Sequence, residues 1–510
     1  MKRSGSSDLL FASGDGTRVA ILSPGQKPLT FEGLKRIVQD TVALLNSFGI
    51  GRNDRVAIVL PNGAEMAAAF IAVSAGATAA PLNPSYSSEE FEFYIKDLNV
   101  KALVVGTDST SCAKDVAERL GLNILELIPG RDKCAGEFKL TGSRTEAVLR
   151  GGYAQSEDTA LILHTSGTTS RPKIVPLTHR NISFSARNVA ETLNLSPTDC
   201  GLNIMPLFHI HGLVAGLLAP LSSGGSVFCA PGFNALKFFS WMNEAKPTWY
   251  TAVPTMHQAI LTRAGGNADV IKRNPLRFIR SSSASLSPQV LVEIENVFRA
   301  PVIEAYGMTE AAHQMTSNLL LGSREPGFVG FAAGPEVLVI DEMGNPKQEG
   351  EIGEVAIRGD NVMAGYESNP TANAEAFING WFRTGDQGVM DGYGRLRLTG
   401  RLKEIINRGG EKISPREVDD VISEHPAILQ VVTFSFPHEK LGEDLAAAIV
   451  LKSGFLMSER ELRDFLSLKL APYKIPDKIL FLDDIPKGPT GKLQRIGLAK
   501  KLGLARLSGG

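Results

Sequence analysis

Cysteine is scarce in this chain. Only Cys112, Cys134, Cys200 and Cys229 occur in 510 residues, and no two form a CxxC pair. That scatter excludes a disulfide framework and a thiolate metal centre, and it fits a reducing compartment. Excess charge is missing too: 53 Lys and Arg against 54 Asp and Glu leave a net charge of −1. A nucleic-acid binder would carry a basic surplus. No apolar run reaches bilayer-spanning length, and the opening Met1-Lys2-Arg3-Ser4-Gly5-Ser6-Ser7 lacks the apolar segment of a signal peptide. Ala505-Arg506-Leu507 is similar to a peroxisomal tripeptide, but Ser508-Gly509-Gly510 follows it. Internal repeats and long low-complexity tracts are also absent. The expectation is a cytoplasmic protein with neither nucleic acid nor membrane as partner.

What is present points to an α/β fold. A chain of 510 residues is too long for one hydrophobic core and implies two or more domains. Residues 31–48 carry an amphipathic helical pattern, and apolar strand-like runs at 55–60, 78–82 and 101–105 alternate with helical stretches. That β-α-β alternation predicts a large N-terminal domain of doubly wound, mostly parallel sheets. From 328 to 398 the pattern shifts to short strands with frequent Gly and Asn, the mark of a small antiparallel, barrel-like β subdomain. Beyond Gly400 the helical and strand patterns describe a small α+β unit of roughly 100 residues. The expected division is 1–402 and 403–510.

Several stretches carry chemistry. The run Thr165-Ser166-Gly167-Thr168-Thr169-Ser170-Arg171-Pro172-Lys173 follows an apolar strand and combines short hydroxyls, a glycine and two cations. A polyphosphate needs such a loop, although a solvated Ser/Thr-rich loop has the same composition. His209 and His211 interrupt two apolar stretches; one imidazole lining a cleft and one packed in the core is the plain reading. Ser281-Ser282-Ser283-Ala284-Ser285 follows a strand, where doubly wound sheets bind ligands. Glu304-Ala305-Tyr306-Gly307-Met308-Thr309-Glu310 sets an aromatic beside a hydroxyl and a carboxylate, and Gly385-Asp386 could hold sugar hydroxyls.

Taken in order, these stretches resemble the adenylate-forming superfamily of acyl-CoA synthetases, luciferases and adenylation domains, over about residues 30–495. The resemblance implies ATP, Mg²⁺ and CoA as cofactors. It implies that Thr165, Ser166, Gly167, Thr168, Thr169, Ser170, Arg171 and Lys173 hold the β- and γ-phosphates. Glu310 would ligate Mg²⁺, Thr309 would touch the α-phosphate, and Tyr306 would stack on adenine near Ala284, Ser285, Glu304, Ala305 and Gly307. Asp386 and Arg401 would meet the ribose. Lys492 would bridge the acid and the α-phosphate, with Glu310, Thr165 and His209 as further catalytic residues. The small domain would turn about Lys403, withdrawing Lys492 and presenting Gly409-Gly410 to the CoA thiol. No carrier-protein domain follows Lys492, which points to free CoA as acceptor.

Within the superfamily, the stretches at 163–173, 248–255, 279–286 and 406–415 resemble those of the oxalate–CoA ligases. That resemblance implies a small carboxylic acid substrate, oxalate, met by His209, His211, Ser282, Ser283 and His313. A second carboxylate in an apolar tunnel would go unpartnered, and hydroxyl and imidazole donors would remove that cost. A medium-chain or aryl acid, or a non-catalytic nucleotide-binding role, stays open at this point. One departure stands out: Ile174 follows Lys173 where the superfamily usually has glycine, and a β-branched residue there excludes positive φ.

Overall fold

The computed structural model describes residues 15–130, 134–142, 147–165, 172–322, 324–488 and 493–504. A seven-stranded sheet runs in the order Phe138–Thr141, Asn123–Pro129, Ala102–Gly106, Arg55–Val59, Thr78–Pro81, Thr159–Thr165, Lys173–Thr178. Its central strands are parallel and apolar because helices cover both faces; Thr78–Pro81 is buried at every position. Helix Ala64–Ser74 is buried almost all round, as its alanine-rich sequence requires. Helix Ser88–Asp97 opens with a capping box between Ser87 and Glu90, as the Ser-Ser-Glu-Glu run predicts.

The second sheet has fourteen strands. Its parallel part includes Trp249–Ala252, Phe278–Ser282 and Val302–Met308, hydrogen-bonded in that order. From His313–Ser317 onward the pairing is antiparallel. The small β subdomain expected over 328–398 is antiparallel as expected. It continues the second sheet rather than standing apart, because Phe328–Ala332 pairs with both His313–Ser317 and Leu396–Arg401. A register shift between Phe328 and Gly330 marks the join. One apolar core, from Ala20 through Val56 to Leu396, spans the two sheets.

At Leu402–Glu404 a 3₁₀ turn carries the chain into a separate five-stranded sheet with its own cores. Hydrogen bonds that tie this C-terminal unit to the rest include Ser414 Oγ donating to Thr399 O (2.5 Å), Gln258 Nε2 donating to Leu429 O (2.9 Å) and Gln430 Nε2 donating to Gln258 Oε1 (3.1 Å). Among the described residues, no helix is long and apolar enough to cross a membrane.

Candidate active site

The strand Val302–Met308 positions much of the site. Tyr306 is buried, and its hydroxyl donates to Asp386 Oδ2 at 2.5 Å. Asp386 faces Arg401 across the antiparallel pair Trp381–Met390 and Leu396–Arg401, and Arg401 Nε donates to its other oxygen at 2.8 Å. Burial and the neighbouring Asp386 carboxylate hold the Tyr306 phenol far above its ordinary pKa. The same carboxylate raises that of Arg401. The Asp386–Arg401 rung and the Tyr306 hydrogen bond thus join the expected adenine and ribose residues.

Gly307 is there for space. A Cβ on it would lie 1.6 Å from the carbonyl oxygen of His313, so only glycine lets Val302–Met308 and His313–Ser317 approach this closely. In the 3₁₀ turn between them, Glu310 is buried and accepts a 2.9 Å hydrogen bond from the Tyr366 hydroxyl. Burial raises the Glu310 pKa; the Tyr366 bond and the charges of Arg401 and Lys173 oppose that shift. Lys173 Nζ lies 4.3 Å above the Tyr366 ring. Thr165 ends its strand paired with Lys173, so both sides of the expected phosphate loop are anchored next to Glu310.

Ile174 is accommodated. It lies in the extended strand Lys173–Thr178, pairs with His164 and packs on the core, so this position needs no positive φ.

The second cluster gathers round His211. His211 opens a buried π-helix, His211–Leu218, and His209 lies in the turn that leads into it. His211 is buried; its Nδ1 is 3.0 Å from Ser283 Oγ and its Nε2 is 2.7 Å from Thr251 Oγ1. Its ring stacks on His313, centroids 4.8 Å apart. Ser283 and His313 both have positive φ, 73° and 100°, backbone strain of the kind that gathers at functional sites. Ser282 differs from Ser283, since its hydroxyl donates to Ala305 O at 2.7 Å. Its donor is therefore occupied by backbone. His209 lies half-buried in the preceding turn, with its ring beside Phe208.

Sequence reasoning missed three residues here. Tyr366 carries no local signal, and Thr251 lies in the 248–255 stretch without being singled out. Arg280 carried one, a charge inside an otherwise apolar strand. It is fully buried beside His211 and Gln314, at 3.4 and 3.2 Å.

Ala284 and Ser285 are exposed just after the strand, and Thr309 is half-buried beside Glu310. Glu304 points toward the C-terminal unit: Arg416 and Asp420 influence it, and burial pushes its pKa up to about 7. Lys403 is exposed in the 3₁₀ turn, and Gly409-Gly410 forms an exposed turn with φ of 61° and 104°. Ser166 to Arg171 and Lys492 lie outside the described residues.

No group of three or more metal-ligating side chains exists among the described residues. Mg²⁺ fits such a site, because it binds through one or two carboxylates completed by substrate phosphates. Glu310, buried in its 3₁₀ turn, is the carboxylate that would hold it.

Comparison with known proteins agrees with the geometry. A sequence model described as AMP-binding enzyme matches residues 11–367, and one described as AMP-binding enzyme C-terminal domain matches residues 417–492. The chain is 43% identical to an oxalate–CoA ligase of Arabidopsis thaliana over 490 residues, covering 94% of each chain. It is also 43% identical to an oxalate–CoA ligase of Saccharomyces cerevisiae, covering 88% of this chain and 87% of that one. Among solved structures, ATP-bound MatB from Rhodopseudomonas palustris superposes with a TM-score of 0.88 at 28% identity, covering 98% of this chain and 99% of that one.

Proposed function

This chain belongs to the AMP-binding enzyme family and is an AMP-forming acid–CoA ligase; from that premise we propose that the acid it activates is oxalate. The observation that carries the proposal is the His211 cluster. Imidazoles and hydroxyls stand where a ligase for a long or aryl acid would need an apolar tunnel. The oxalate–CoA ligases at 43% identity support the same reading.

A carboxylate is a poor acyl donor because oxide is a poor leaving group. In the first half-reaction one oxalate oxygen attacks the α-phosphorus of ATP. The bond to the β-phosphate bridging oxygen breaks, giving oxalyl-AMP and pyrophosphate. Both reactants are anions, so charge neutralisation and positioning supply most of the rate. In this reading Thr165, Lys173 and the intervening loop hold the β- and γ-phosphates. Tyr306 and the Asp386–Arg401 pair hold the nucleoside, and Thr309 touches the α-phosphate. When bound, Mg²⁺ on Glu310 neutralises phosphate charge. Lys492 bridges the attacking carboxylate and the α-phosphate.

In the second half-reaction the CoA thiol, losing its proton, attacks the acyl carbon and expels AMP, forming oxalyl-CoA. We assign the division at 402/403 a mechanical role: the C-terminal unit turns about Lys403, withdraws Lys492 and brings Gly409-Gly410 to the thiol. A side chain at those positive-φ turns would be strained and would crowd the thiol's approach. We place the enzyme in the cytoplasm, a reading supported by its four unpaired cysteines.

The test is AMP release from ATP, Mg²⁺ and CoA across a panel of acids. Oxalate should give the highest kcat/KM. Faster turnover of hexanoate or cinnamate would overturn the assignment.

A further inference from the structure

Arg280 has no carboxylate partner among the described residues. It lies in the middle of the strand Phe278–Ser282, with no exposed surface at all. Its NH2 donates to Gln314 Oε1 at 3.2 Å, its NH1 faces His211 Nε2 at 3.4 Å, and its Nε is unpartnered. Neither partner is a carboxylate. Burial accordingly pulls its pKa down to about 9. A buried cation left without a counter-ion is costly to the fold.

The hydrogen bonds around it run in one direction. A guanidinium only donates, so the His211 Nε2 that faces Arg280 and Thr251 is an acceptor. The ring proton then sits on Nδ1, which donates to Ser283 Oγ at 3.0 Å. That leaves the Ser283 O–H as the donor at the end of the chain, on a half-buried residue held at φ 73°. Gln314 is fixed in the matching sense, because its amide NH₂ donates to Ala333 O and Thr192 Oγ1, leaving Oε1 to accept from Arg280. A chain polarised from a buried cation to a hydroxyl presents positive potential at its open end.

We propose that Arg280 is a specificity residue for the acid: its charge, passed through His211 to the Ser283 hydroxyl, compensates the second carboxylate of a small diacid. The inference deepens the oxalate reading and rests on it. It makes the diacid the counter-ion that the fold leaves out. Arg280 acts as a positioning residue, through the side chains that meet the substrate.

The experiment compares wild type, Arg280→Met, Arg280→Gln and Arg280→Lys with oxalate and with glycolate, a monoanion of similar size. Each is assayed by AMP release, and melting temperature is measured without substrate. Arg280→Met should raise the KM for oxalate by about 30- to 100-fold, shift the KM for ATP less than threefold, and lower the oxalate-to-glycolate preference by at least about 30-fold. Its melting temperature should not fall, since an uncompensated buried charge has been removed. Arg280→Lys should recover part of the preference. Arg280→Gln is read by the same criteria if the methionine variant does not fold. An oxalate KM within threefold of wild type in the neutral variant would overturn the inference and leave the oxalate reading intact. If wild type prefers another small diacid and the neutral variant loses that preference, the inference stands and oxalate falls. Preference of wild type for a monoacid would overturn both.

Discussion

The two halves of the site are built on opposite electrostatic plans. On the proposed nucleotide side, Arg401 is paired with Asp386, Asp386 also accepts from Tyr306, and Glu310 is met by Tyr366 with Lys173 close by. On the proposed acid side, Arg280 meets Gln314 and His211 and, among the described residues, no carboxylate. The nucleotide is common to the whole family, so its cradle can be self-neutralised and rigid before anything binds. The acid is what distinguishes one member from another. An unbalanced charge there makes binding depend on the substrate's own second charge.

Removing charge from the nucleotide side should therefore damage the enzyme whatever the acid. The largest effect is expected for Lys492→Ala, which should slow adenylate formation by about 10²- to 10³-fold, as for loss of one transition-state donor. It should still convert supplied oxalyl-AMP and CoA to thioester, measured by single-turnover kinetics. Equal loss of both steps would break the two-conformation picture. Next is Asp386→Ala, which strands a buried phenol and a half-exposed guanidinium. A loss of about 2–3 kcal/mol in chemical denaturation is expected, less than for a fully buried pair because Arg401 is partly screened. The KM for ATP should rise and that for oxalate should hold.

Glu304 is the exception that sharpens the contrast. It is buried, its Oε2 is unpartnered, and burial pushes its pKa up to about 7. Between the ordinary glutamate value and about 7, the folded chain holds a proton that the unfolded chain has released. Its favourable contribution is therefore present at low pH and lost as pH rises through about 7. Glu304→Gln should flatten that slope and gain about 2 kcal/mol at pH 8, read from denaturation at pH 5 and pH 8. Smallest is Tyr366→Phe, which removes one hydrogen bond to a buried carboxylate. A cost of about 1.5 kcal/mol, or ~10-fold in Mg·ATP affinity by calorimetry, is expected.

Much of this plan was legible in the chain. Ser87 and Glu90 announced their helix, and the Gly307 motif, Asp386 and Arg401 stood out as candidate nucleotide contacts, which the structure brings together through the Tyr306–Asp386–Arg401 hydrogen bonds. The joining of the antiparallel strands to the second sheet was not, since it depends on Phe328–Ala332 finding two partners distant in sequence. Nor was the choice between the histidines: a π-helix, invisible to a strand-period argument, directs His211 toward Ser283. Ser282 and Ser283 look equivalent in sequence, but in the fold the Ser282 hydroxyl donates to Ala305 O while Ser283 turns to His211 at positive φ. Arg280 was the hardest to read. Its meaning lies in what does not stand near it, and absent partners leave no trace in a sequence.

The most direct test of the whole account is mass spectrometry of the products formed from oxalate, ATP, Mg²⁺ and CoA, with AMP counted in parallel. One oxalyl-CoA per AMP, formed faster than any thioester from hexanoate or cinnamate under the same conditions, is the predicted result. AMP formed without oxalyl-CoA, or a faster thioester from either of the larger acids, would contradict it.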